Sequence, residues 1–260
     1  MALVVVGANR SSPGVTAAAL VLGAVWERQG RQPLVVEADP DGGVLAARYG
    51  LATHPNLTEL AGRTRAGLRP TDAWDHAQQL PGGLSAVVAH PSSEQTHAAL
   101  RTGAVRIGEH LARLDHTDVL LDAGHLGPSS PSLLLLEPAS VIVVVLRPRL
   151  DEVTALSQRL PALRDQGRVV ALVVGDRPYG HAELASTLGI EVLGVLADDP
   201  AGARALDGSG GGRRWRRSPL VRTGQQAARA LTARLDALDA EAPPAGPRVV
   251  ELSPDVEEAG

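Results

Sequence analysis

Two aspartates, one glycine-bearing turn and one arginine cluster are where the residue types of this chain could do chemistry. Asp39 and Asp122 each close an apolar run, Leu34-Val-Val-Glu-Ala-Asp39 and Val119-Leu-Leu-Asp122. A carboxylate at the carboxyl end of a buried strand faces the edge where open parallel sheets bind ligands; its structural alternative is to cap the next helix. The turn is Gly7-Ala-Asn-Arg-Ser-Ser-Pro-Gly14-Val-Thr16, between an apolar run and a helical pattern. Such a turn either brings backbone amides to a phosphate or simply starts the helix. The cluster is Arg213-Arg-Trp-Arg-Arg217. Guanidiniums around an indole suit phosphates and stacking, or solvated pairing with acids such as Asp198 and Asp199.

Absent residues narrow the chemistry further. All 25 residues counted as Lys plus Arg are arginine, so the chain has no lysine. That removes Schiff-base chemistry, a lysine general base and any mechanism that needs a P-loop lysine. A GC-rich codon bias would give the same arginine excess, with the same chemical consequence. Cysteine is absent, which excludes disulfides, thiolate metal sites and cysteine nucleophiles. The eight histidines are scattered without metal-ligand spacing and receive no role.

The elements that must position these groups follow from composition and pattern. With 260 residues, 44% hydrophobic and 21% charged, the chain has the makings of a folded core within one large α/β domain. The absence of Phe, beside three Trp and two Tyr, makes that core aliphatic. A net charge of −4 argues against chain-wide affinity for nucleic acid or anionic membrane. No basic leader precedes the apolar run from Ala2 to Val6, and Val141 to Leu146 falls far short of the roughly 20 residues that span a bilayer. The expectation is a cytoplasmic protein without stable membrane insertion.

Apolar runs at Leu3–Val6, Pro33–Ala38, Leu84–Ala89, Asp118–Asp122, Ser140–Leu146, Arg168–Val174 and Glu191–Leu196 read as strands. Helical patterns at Gly14–Arg28, Ser92–Leu114, Asp151–Arg164, His181–Leu188 and Pro219 to about Leu238 lie between or after them, and a short helix ends at Arg204–Leu206. The stretch from Asp41 to Leu80 is less regular, with a short helix expected over Thr71–Gln79. The alternation predicts an α/β fold: a mostly parallel central sheet with helices on both faces, a Rossmann-type three-layer domain over 1–238. Gly208–Gly212 reads as a loop, and the acidic, proline-rich segment 239–260 as a disordered tail.

Two family resemblances attach to the first turn. Val4-Val-Val-Gly-Ala-Asn-Arg10 is similar to the opening of short-chain dehydrogenases. Those enzymes pair a tyrosine with a lysine four residues later, which a chain without lysine cannot supply. The second resemblance covers residues 2 to 238 and is to the MinD/ParA family of P-loop ATPases. That family's first turn reads Lys-Gly-Gly-Val-Gly-Lys-Thr. With Gly14 and Thr16 aligned, Arg10 stands at the signature lysine, Ser11, Ser12 and Pro13 at Gly-Gly-Val, and Val15 at the phosphate-binding lysine. Segments 34–43, LVVEADPDGG, and 118–127, DVLLDAGHLG, resemble the family's second and Walker B strands. Segments 80–93, 169–178 and 188–206 resemble later ones, in the family's order and spacing.

This resemblance implies a P-loop NTPase-like fold, ATP and magnesium as cofactors, a homodimer and a protein partner. It places Thr16, Glu37 and Asp122 at magnesium and Asp39 at the attacking water. Gly14, Val15, Thr16 and Asp122 fall around the phosphates, and Asp176 stands for an adenine-facing Asn. Arg10 takes the role of an arginine finger crossing the dimer interface. Val15 supplies neither charge nor hydrogen bond, a loss on the order of 1.5–3 kcal/mol, or roughly tenfold to a hundredfold in affinity. Serine and proline for glycine also cost the loop freedom and one amide donor. The expected function is a nucleotide-responsive positioning or partitioning protein, as in chromosome partitioning, with weak ATP binding. Two classes stay open: a weak ATPase using Arg10, Thr16, Asp39 and Asp122, or a pseudo-ATPase scaffold that binds protein partners without hydrolysis. As ParA-like proteins bind DNA through basic surface residues, Arg213, Arg214, Trp215, Arg216 and Arg217 are the candidates for a weak, non-specific DNA contact.

Overall fold

The computed structural model of the chain describes residues 1–10, 13–206 and 217–241. The first half runs β1 (Leu3–Ala8), α1 (Val15–Arg28), β2 (Pro33–Glu37), α2 (Leu45–Tyr49), α3 (Leu57–Arg63), α4 (Asp72–Asp75), β3 (Gln78–Gln79), β4 (Ser85–Val87) and α5 (Ser93–Ala112). Then come β5 (Asp118–His125), a 3-10 turn at Pro131–Leu135, β6 (Val141–Leu146), α6 (Leu150–Arg164), β7 (Val169–Val174), α7 (His181–Leu188), β8 (Val192–Leu196), α8 (Pro200–Leu206) and α9 (Pro219–Glu241). Eight strands form one sheet in the order β3-β4-β2-β5-β1-β6-β7-β8. Only the β3–β4 pair is antiparallel.

Successive strand side chains point to opposite faces, so valine-rich strands buried on both sides must build two cores. Val4, Val6, Val35, Leu120 and Val143 pack with α1 and α9 on one face. Leu3, Val5, Val36, Leu121 and Val144 pack with α5 and α6 on the other. α1 is apolar nearly all round because α9 covers its outer side. Trp26, the largest fully buried side chain, donates its indole N–H to the Thr232 hydroxyl on α9 at 3.1 Å. Gly224 on α9 lies so close that a Cβ there would meet Val21 Cγ2 at 2.7 Å.

The predicted α/β architecture is the observed one. The segment from 41 to 80 differs in detail. The helix expected over Thr71–Gln79 stops at Asp75, and Gln78–Gln79 forms a short strand on β4 instead. The last helix runs three residues past the expected boundary at 238, to Glu241, which pairs with Arg168 at 3.0 Å. Residues 242–260, the Gly208–Gly212 segment and Arg213 to Arg216 lie outside the described residues; Arg217 is exposed. No helix among the described residues is long and apolar enough to cross a membrane.

Candidate functional site

Sheet register assembles the site. Asp122 stands beside Val6 on β1 and beside Glu37 on β2, so both acids share one row at the carboxyl ends of the central strands. Two residues earlier, Leu120 and Val35 face α1, and the period of two carries Asp122 and Glu37 to that same face. The first turn of α1, with Thr16, lies above them. Gly14 makes the turn possible, with φ at 106°, a left-handed backbone that a side chain would strain. α1 begins there with no side chain capping its first amides.

Asp122 is 1% exposed. Its Oδ1 accepts the Gly124 N–H at 3.1 Å, and Oδ2 has no hydrogen-bond partner among the described residues. Burial pushes its pKa up to about 6, and the nearby Asp39 charge adds to the rise. The Thr16 hydroxyl, the Gly124 N–H and the Arg48 charge oppose it. Asp39 is half-buried; burial raises its pKa, against the Asp41 N–H that it accepts at 3.0 Å. Gly124 lets Asp39 approach: its φ is 58°, and a Cβ there would collide with the Asp39 carboxylate.

Glu37, expected at magnesium, is engaged by backbone donors. Its Oε1 accepts the N–H groups of Val44 at 2.7 Å and Leu45 at 3.0 Å, and Oε2 accepts that of Ala89 at 2.9 Å. The carboxylate therefore caps α2 and ties the loop after β2 to the end of β4. Burial outweighs these donors and raises its pKa to about 7. Of the three residues expected at the metal, Thr16 bonds Asp122, and Glu37 stands beside Asp122 with both its oxygens on backbone N–H groups.

Val15 is turned into the core, 6% exposed, among the α1 and α9 side chains. Arg10 is exposed and lines a groove of about 670 Å3 with Leu150 and Asp151 at the start of α6. Asp176 is exposed at the end of β7, in a cavity of about 610 Å3 shared with His181 and Thr223. A smaller cavity, about 220 Å3, runs from Gly14 to the β8–α8 connection. Two of its lining residues, Arg147 and Asp198, form an ion pair at 2.6 Å. His125 escaped the sequence reading. Its Nε2 lies 2.6 Å from the Asn9 carbonyl, holding the turn's entry against β5. Its position three residues after Asp122 was the available signal.

Tested as a magnesium nucleotide site, this arrangement fits in one corner only. Thr16 and the unpartnered oxygen of Asp122 offer oxygen donors of the kind magnesium takes. The phosphate side does not fit: position 15 holds a buried aliphatic side chain where a cation would be needed. No hydrolytic step follows from these residues.

No protein-family profile matches the chain, and no curated protein matches it. Solved structures do. The cell division ATPase MinD of Pyrococcus furiosus superposes with a TM-score of 0.73 at 15% identity, over 89% of this chain and 98% of that one. MinD of Pyrococcus horikoshii, complexed with Mg-ADP, gives 0.72 at 15% identity over 88% and 95%. A ParA family ATPase of Chlorobium tepidum gives 0.73 at 15% identity over 88% and 98%. The fold is that of the MinD and ParA ATPases.

Proposed function

We propose that this chain is a MinD/ParA-fold positioning protein that binds nucleotide weakly and serves, as a cytoplasmic homodimer, as a scaffold for protein partners. One observation carries this reading: Val15 is buried in the core where the family resemblance puts the phosphate-binding lysine, in a chain that has no lysine. The occupied carboxylate of Glu37 supports it, since the acidic corner is one ligand poorer. A second reading, a weak ATPase acting through Arg10, Thr16, Asp39 and Asp122, is favoured by the retained contact of Thr16 with Asp122.

Calorimetry of ATP with and without magnesium, paired with phosphate release by the purified protein, separates the two. The scaffold reading expects binding weaker than micromolar and no measurable turnover. A tight, magnesium-dependent complex with steady phosphate release would overturn it in favour of the ATPase.

A further inference from the structure

A groove of about 690 Å3 lies at the end of the sheet opposite the phosphate turn, between the 64–71 loop and the C-terminal half of α5. Asp115, at its end, leads into the amino end of β5. Ligands of open α/β sheets gather at the carboxyl ends of strands, so this groove is separate from the nucleotide region.

Its charges are unevenly matched. Arg65 on the loop and Arg106 and Arg113 on α5 line it, with Glu109 and Asp115 as the opposing acids. Nearby Arg63 and Arg69 are taken up by Asp72 and Asp75. Arg65, Arg106 and Arg113 pair with no carboxylate among the described residues. Arg106 is pre-ordered all the same, because its guanidinium donates to the Thr64 carbonyl at 2.7 Å. On the loop side Trp74 is 36% exposed, and its indole N–H donates to the Thr117 hydroxyl at 3.3 Å, so the ring is held with an open face.

Spacing on α5 narrows the ligand. Arg106 and Arg113 are seven residues apart, about 10.5 Å along the helix axis and within about 20° of one face. Glu109 stands between them, three residues from one and four from the other. A segment lying along this stripe meets positive, negative, then positive charge. It must carry a carboxylate at each end and no charge between. Polyproline II backbone meets that demand: three residues per turn at about 3.1 Å each return every third side chain to one face, about 9.3 Å further on. A β-strand sends third neighbours to opposite faces. The uncharged residues between the acids face the other wall, where the open indole accepts proline rings.

We propose that this groove binds an acidic, proline-containing segment of a partner protein in polyproline II conformation, with acids three residues apart on Arg106 and Arg113 and the prolines between them on Trp74. Arg65 adds a third positive charge to the site. The proposal supplies the scaffold reading with a partner surface without resting on it, since the test is run without nucleotide.

The probe is a fluorescein-labelled peptide of three Glu-Pro-Pro repeats, titrated with the full chain and followed by anisotropy. It should bind at least about threefold more tightly than a peptide of the same composition with its three glutamates adjacent, since that peptide cannot bridge both arginines. The double variant Arg65→Glu with Arg113→Glu, both exposed positions, should weaken the repeat peptide at least about tenfold and should gain affinity for three Arg-Pro-Pro repeats. That gain shows the variant to be folded. Should the variant not fold, a photo-crosslinking residue at the centre of the repeat peptide should join it, on the unaltered protein, to the stretch holding Trp74 or to that holding Arg113. A nine-residue oligothymidylate, whose unbroken charge falls on Glu109, should not displace the peptide. Equal binding of the two glutamate peptides, crosslinks elsewhere, displacement by the oligonucleotide, or no binding at low salt overturns the proposal.

Discussion

The carboxylate of Glu37, at the end of β2, accepts the backbone N–H of Ala89 from the end of β4 at 2.9 Å. With the N–H groups of Val44 and Leu45 on its other oxygen, it fastens three chain segments at one buried point. Glu37→Ala therefore leaves three backbone donors unpaired, two of them buried at Leu45 and Ala89 and each of those costing about 1–3 kcal/mol. Urea denaturation should show a loss of at least about 2 kcal/mol. A loss under 1 kcal/mol would mean that water replaces the carboxylate without penalty.

Protons act on the same corner. Folding raises the Glu37 pKa from 4.5 to about 7 and that of Asp122 from 3.8 to about 6. Between the unfolded and folded values the native state binds more protons, so stability is highest below the unfolded values and is lost as pH rises through the folded ones. The urea midpoint should fall between pH 4.5 and pH 7.5, by an amount worth a few kcal/mol at most. Asp122→Asn should flatten that slope. A midpoint that rises over this window would show both carboxylates to be charged in the folded protein.

Restoring the missing cation probes the phosphate turn. Val15→Lys should tighten ATP binding roughly tenfold to a hundredfold, the scale of one charge-assisted contact to phosphate. Calorimetry of the two proteins measures it. Unchanged binding in a folded variant would say that the turn no longer cradles phosphate.

Arg10 is exposed beside Leu150 and Asp151 at the start of α6. If it acts across a homodimer, Arg10→Ala should weaken self-association about fivefold, as expected for one interfacial charge contact near 1 kcal/mol. Sedimentation of both proteins at matched concentrations reads this. Identical dissociation constants would return Arg10 to the role of a surface residue.

The parallel sheet was legible because strands buried on both faces leave unbroken valine and leucine runs, as at Val141–Leu146. The segment from 41 to 80 was less so. Thr71–Gln79 read as one short helix. In the structure, Asp72 is held by the Arg69 N–H and guanidinium, and the chain turns after Asp75 so that Gln78 and Gln79 can pair with β4. Asp122 was found from its place after an apolar run. The duty of Glu37 was not, because it depends on two distant backbone segments converging on one carboxylate. His125 was missed for a similar reason: its partner, the Asn9 carbonyl, is 116 residues away in sequence.

β3 contributes only Gln78 and Gln79 to the sheet, and it runs against β4. An edge that short offers an incoming chain almost no ladder to extend, which is how natural sheets guard against edge-to-edge polymerisation. On that side, fibril growth by strand addition finds no ladder, and any contact between copies there would form through side-chain surfaces. At high concentration this edge should then fail to seed cross-β aggregates.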